Sequence, residues 1–246
     1  MKNHNPTLAA PAGMKPRFVG RLGLADAVTV ANAALGFLAA VAATVDPALA
    51  ARVILLAAIA DALDGIVARK VGSTPAGEYL DSLADVASFG VAPALLVAVV
   101  AREAWAFDSQ PLLAALGALV PALFVAMAVT RLGLYTAYDS GTDETQGVQT
   151  TLAATIVAAG VLAGYVAPGL LVALTALLAA LMVSTVTYPD LHAQDALVMG
   201  VVQGLAILTT GRVGEVFAFG LLFLALGYLF LGPRFYWRDG IEGWGA

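Results

Sequence analysis

Four aspartates, Asp61, Asp64, Asp81 and Asp85, stand in the stretch DALDGIVARKVGSTPAGEYLDSLAD, with apolar runs leading up to it and away from it. Ionisable side chains within apolar spans are costly to bury, which makes them the first place to look for a working site. Asp61, Asp64 and Ala68 are spaced i, i+3, i+7 and share one helix face, with Gly65 beside them and Arg69 closing the turn. Asp81 and Asp85 are i, i+4 neighbours on the next segment. Two antiparallel helices joined by a short loop bring both acid pairs together. Like charges at that distance repel, and a divalent cation relieves the repulsion. A carboxylate donor set suits a hard ion, Mg²⁺ or Mn²⁺.

Hard ions of this kind are commonly shared between carboxylates and substrate phosphates. The pattern therefore fits a site that holds a diphosphate and polarises its phosphorus for attack. Gly65 and Ala68 lack bulk, so a base or a phosphate can approach the helix closely, and Arg69 can meet a phosphate oxygen. An aspartate not fully engaged by metal can take a proton from an attacking hydroxyl. The bland alternatives are a structural ion-pair cluster of the aspartates with Arg69 and Lys70, and, for Gly65 and Gly77, close helix packing instead of ligand contact.

The elements that position these residues are read from composition. Of 246 residues, 61% are hydrophobic and 12% charged, and the mean hydropathy is +0.89. So few charges could hardly cover an aqueous surface. The expectation is an all-α, polytopic membrane helix bundle. Segments of about 20 apolar residues fall near 25–45, 48–70, 77–101, 111–138, 149–167, 168–186, 194–210 and 213–231. That is about eight spans, with six or seven also possible because the seventh segment is short and the break near 168 is weak. Residues 1–20 and 234–246 read as cytoplasmic tails flanking a membrane domain over 21–233. With the amino terminus inside, nine basic residues (Lys2, Lys15, Arg17, Arg21, Arg69, Lys70, Arg131, Arg234, Arg238) lie inside and three (Arg52, Arg102, Arg212) outside. The positive-inside rule then turns the aspartate stretch toward the cytoplasm.

Cysteine is absent and the histidines are His4 and His192, which excludes thiolate chemistry and a multi-histidine metal site. The formal charge of −5 argues against a nucleic-acid partner. A cation transporter would carry acids at mid-depth on several spans, whereas here they gather near one loop.

Taken in order, Asp61, Asp64, Gly65, Ala68, Arg69, then Gly77, Asp81 and Asp85 match D-x-x-D-G-x-x-A-R…G-x-x-x-D-x-x-x-D. This resembles the motif of CDP-alcohol phosphatidyltransferases. The resemblance implies transfer of a substituted phosphate from a CDP-linked lipid to an alcohol with release of CMP. It implies Asp61, Asp64, Asp81 and Asp85 as metal ligands, Asp85 also as general base, and Gly65, Ala68, Arg69 and Gly77 around the CDP moiety. It further implies a homodimer in the cell membrane. The run Asp81-Ser82-Leu83-Ala84-Asp85, then Ser88-Phe89-Gly90 and Pro93, together with Thr29, Asn32, Gly36 and Phe37, resembles the branch that uses L-serine as acceptor, on either phosphatidyl or archaetidyl lipids. Glycerol phosphate and inositol phosphate remain alternative acceptors, though they would call for more basic residues near the site than Lys70 and Arg131. Ser88 is either an acceptor-side ligand or part of a tightly packed turn. Arg131 is either a ligand for a phosphate or for the serine carboxylate, or a side chain snorkelling from a helix end.

Overall fold

A computed structural model describes residues 19–72, 74–106, 108–139 and 144–236. Lys2, His4, Lys15, Arg17 and Arg238 lie outside them. The described chain is a helix bundle, as its composition predicts. It comprises α1 (Leu24–Ala43), α2 (Pro47–Val71), α3 (Gly77–Asp85), α4 (Ala92–Ala104), α5 (Pro111–Leu134), α6 (Thr150–Leu162), α7 (Pro168–Met182), α8 (Ala193–Leu208) and α9 (Gly211–Phe235). Two short strands, β1 (Glu144–Gln146) and β2 (Thr187–Pro189), pair antiparallel between the α5–α6 and α7–α8 connections.

The helices α3 and α4 form one rod, joined by a π-helical turn at Val86–Val91. Its cause lies in the sequence. Pro93 has no N–H to donate to the Phe89 carbonyl four residues back, and its ring crowds that carbonyl, so the ladder widens there. A second π-helical turn, Tyr135–Asp139, extends α5. Among the described residues, four rods are long and apolar enough to cross a membrane: Leu24–Ala43, Gly77–Ala104, Pro111–Asp139 and Gly211–Phe235. The 25-residue α2 matches them in length but carries Asp61 and Asp64. Three helices are shorter than the expected spans, α6, α7 and α8 having 13, 15 and 16 residues. The chain leaves α6 at Ala163, and beyond Met182 it leaves α7 to become β2. Every residue of α6 from Leu152 to Val161 is buried, so this helix, apolar apart from three threonines, sits inside the bundle instead of facing lipid.

Hydrogen bonds fix which ends lie together. At one end, Thr29 on α1 meets Asp64 on α2, Thr151 on α6 meets Asp61, and Arg131 on α5 meets Thr145 on β1. At the other end Arg52, near the start of α2, donates to the Thr209 carbonyl after α8. Helices therefore alternate in direction. The site end carries Arg21, Arg69, Lys70, Arg131 and Arg234, and the far end Arg52, Arg102 and Arg212.

Local signals set the ends of the key hairpin. Asp46 caps α2 by accepting from the Ala48 N–H at 2.8 Å, with Pro47 in the first turn. Gly72 ends α2 at φ +90°, a conformation that side chains with a Cβ rarely adopt. Small residues let α1 and α2 lie close, with Ala39, Ala43, Ala50 and Ala51 essentially inaccessible. Gly36 has a sharper role. A Cβ there would lie 2.7 Å from the backbone of Ala87 and Ser88, so α1 rests directly on the π-helical turn that follows Asp85. Gly36→Ala is expected to lower stability by about 1–3 kcal/mol through overpacking, whereas Gly200→Ala, with nothing within 4 Å, leaves it unchanged. Thermal unfolding in detergent checks this, and equal midpoints for Gly36→Ala and the native chain would contradict the close approach.

Candidate active site

Asp61 and Asp64 stand on the second half of α2, and Asp81 and Asp85 on α3. Ligand atoms of Asp61, Asp81 and Asp85 converge to within 4.8 Å of one another. Asp85 is buried at 7% exposure, and one of its carboxylate oxygens has no hydrogen-bond partner. The Thr151 hydroxyl donates to Asp61 at 3.5 Å. Among the described residues these aspartates form no salt bridge with Arg69 or Lys70, both of which are exposed. The structural ion-pair reading therefore has no geometry behind it. Three converged carboxylates outnumber Arg131, the cation among the described residues lining the cavity they share, and removing the excess negative charge from water is strongly unfavourable. The orphaned oxygen and the all-carboxylate donor set fit a hard divalent cation.

Asp64 stands apart from this trio. It is buried and accepts from the Thr29 hydroxyl on α1 at 2.7 Å. Its charge nevertheless acts on both Asp61 and Asp81. Gly65 is open apart from Arg69, whose Nη1 lies 3.5 Å from where a Cβ would sit. Arg69 thus lies over the gap that the missing side chain leaves. Ala68 is half-buried one turn on. Gly77 opens α3, and its N–H donates to the Thr74 carbonyl at 3.0 Å.

The connection at 72–76 is held by a residue the sequence reading passed over. Asp26 accepts from the Thr74 hydroxyl at 2.8 Å and from the Gly23 N–H at 2.7 Å. It caps α1 by reaching back from the first turn and ties the connection to α1.

Ser88 does not reach the cavity described below. It is fully buried and donates to the Asn32 carbonyl at 2.8 Å, in the contact that Gly36 makes possible. Arg131 does reach it. It is 7% exposed, which excludes snorkelling to the interface. Its Nη2 donates to the Thr145 hydroxyl at 3.1 Å, its guanidinium lies 4.9 Å from the Tyr135 ring centroid, and its Nε has no partner.

Asp61, Asp81 and Asp85 form one wall of a polar cavity of about 200 Å³. Arg131, Tyr135, Glu144, Thr145, Gln149, Thr151 and Asp190 line the rest. Glu144, Thr145 and Asp190 lay outside the sequence reading, because they reach the cavity through the strand pair. Glu144 faces Pro189 and Thr145 faces Tyr188 across it. Gly147 follows β1 at φ +76°, and a Cβ there would collide with the Met182 carbonyl. The bonds from Gly147 N to Val186 O (2.8 Å) and from Val148 N to Leu181 O (3.0 Å) pin this crossing to the end of α7. The last helix braces β2. The Tyr228 hydroxyl donates to the Pro189 carbonyl at 2.5 Å, and the Tyr188 hydroxyl to the Leu229 carbonyl at 3.2 Å.

This geometry can be set beside known proteins. Archaetidylserine synthase of Methanothermobacter thermautotrophicus is 31% identical over 180 residues, 71% of this chain and 73% of that protein. CDP-diacylglycerol–serine O-phosphatidyltransferase of Methanocaldococcus jannaschii is 44% identical over 75 residues, 30% of this chain and 34% of that protein. The family model for CDP-alcohol phosphatidyltransferase matches residues 22–188, from the start of α1 into β2. That stretch contains the aspartate hairpin and Arg131, and this chain belongs to the CDP-alcohol phosphatidyltransferase family.

Proposed function

We propose that the protein transfers the phosphatidyl or archaetidyl group of a CDP-linked lipid to L-serine and releases CMP. The observation that carries this reading is the convergence of Asp61, Asp81 and Asp85 on a cavity that a buried arginine, Arg131, also lines. The names of the two relatives support serine as the acceptor and do not distinguish ether from ester lipid.

Asp61, Asp81 and Asp85 would hold Mg²⁺ or Mn²⁺, with Asp64 completing the acidic set. Such an ion neutralises the diphosphate and withdraws electrons from the phosphorus under attack. Arg69, lying over the gap at Gly65, pairs with a phosphate of the CDP moiety, and Ala68 and Gly77 leave room for it. Asp85, with one oxygen unengaged, takes the proton of the serine hydroxyl. The serine oxygen then bonds to the lipid-side phosphorus as the bond from that phosphorus to the bridging oxygen breaks, and the electron pair leaves with CMP. The chain has no cysteine, and direct displacement needs no covalent intermediate. By the distribution of basic residues the site opens to the cytoplasmic face of the cell membrane, with eight spans and both chain termini inside. By family resemblance the working unit is a homodimer.

Asp85→Asn is expected to reduce CMP release at least about 100-fold, the scale of a lost general base, while CDP-lipid binding persists. Turnover by the purified variant within a few-fold of the native rate would refute the base assignment. Chelation is expected to abolish transfer, and Mg²⁺ or Mn²⁺ to restore it. The same ions should raise the thermal midpoint of the native protein, because they bind the folded state, and should fail to do so for Asp61→Asn/Asp81→Asn. Full activity in excess chelator would remove the metal from the proposal.

A further inference from the structure

We infer that the hydroxyl pair of Ser82 and Thr136 is a positioning device for the transfer, fixing how far the acidic hairpin stands from the helix that carries Arg131. Neither side chain lines the cavity, so each acts through its neighbours and neither is a catalytic residue. This rests on the transfer reading above and adds what holds the two helices in register while the displacement takes place.

Three observations carry it. The first is the bond itself. The hydroxyl oxygens of Ser82, on α3, and Thr136, in the π-helical turn that extends α5, lie 2.6 Å apart. Ser82 follows Asp81 directly and stands three residues before Asp85. Thr136 follows Tyr135 directly, and the Tyr135 ring holds the Arg131 guanidinium at 4.9 Å from its centroid. One side-chain bond thus joins the helix bearing two of the three converged aspartates to the helix bearing the buried arginine.

The second is register. Eight residues on from Ser82, a Cβ at Gly90 would lie 3.4 Å from the Cβ of Ala128, which stands eight residues before Thr136. The two contacts are therefore opposite ends of one antiparallel crossing. Asp85 falls between them on one rod and Arg131 on the other, and both line the cavity. Small residues set the approach at the Gly90 end, and the hydroxyl pair sets it at the other. The third is direction. Asp26, Thr29 and Gly36 tie the hairpin and the turn after it to α1, whereas Ser82 ties it to α5.

Displacement needs reacting atoms held about 3–3.5 Å apart, and a misplacement of about 1 Å costs on the order of 100-fold in rate. A hydroxyl pair between membrane helices adds only modestly to stability. Its loss therefore leaves the fold standing and lets the two helices shift.

The test uses the purified full-length protein with CDP-diacylglycerol and CDP-archaeol, each offered with L-serine, and follows CMP release. Binding of the CDP-lipid and the thermal midpoint are measured on every variant. Ser82→Ala and Thr136→Val are each expected to lower kcat at least about tenfold, with CDP-lipid affinity and midpoint close to native. Ser82→Ala/Thr136→Val should lose no more than either single replacement, because one bond is broken in all three. Thr136→Ser, which keeps the hydroxyl, should retain most of the turnover. A kcat within about twofold of native in either hydroxyl-free single variant, on the scale of that expected loss, would overturn the inference. So would losses that multiply in the double variant, or a kcat that falls in step with CDP-lipid binding and midpoint, which marks a merely structural role. Each of these results leaves the proposed activity standing. If the native protein releases no CMP in response to serine, the activity itself is wrong and the positioning role falls with it.

Discussion

Carboxylates brought within 4.8 Å of one another inside a helix bundle push their helices apart. The surrounding structure is arranged to hold the aspartate-bearing parts of α2 and α3 in place against that force. Asp26 ties the connection between them to α1 through Thr74. Thr29 ties Asp64 to the same helix. Gly36 lets α1 press on the backbone just beyond Asp85. One helix therefore braces the hairpin at three points, and all three braces are short polar or small residues that let backbones come close. The π-helical turn belongs to the same arrangement. It lies directly after Asp85 and lets α3 and α4 take different paths within one rod.

The strand-bearing side of the cavity has another construction. The described chain leaves its helices there to form a two-stranded ribbon, which lies at the end of the bundle where its remaining backbone groups can be satisfied. Gly147 makes the crossing over α7 possible, and tyrosines on β2 and α9 exchange hydroxyl-to-carbonyl bonds that fix its height. The helix α9 lies beyond the stretch matched by the family model, yet it supports the ribbon that lines the cavity.

Much of this was legible beforehand. Eight apolar segments matched helices or helix pairs at nearly the expected positions, because long hydrophobic runs leave few alternatives to a membrane helix. The acid spacing placed Asp61, Asp81 and Asp85 together because helical periodicity and a short loop fix the faces. Asp26 was not seen, since a lone aspartate at a helix start reads as an ordinary cap. Glu144, Thr145 and Asp190 were not seen either. Strands of three residues give no periodic signal, and their pairing depends on contacts made over some forty residues of chain. The short α6, α7 and α8 escaped for a related reason. Apolar content sets where a helix can begin, whereas Gly164, at φ +88°, and the departure into β2 set where it stops.

The ribbon draws its two strands from separate connections, while the three converged aspartates come from one continuous stretch, 61–85. The two sides of the cavity are thus encoded in different parts of the chain. Replacements on the ribbon reshape one side of the cavity and leave the acidic hairpin as it is, so the outline of the cavity and its acidic centre are free to vary separately.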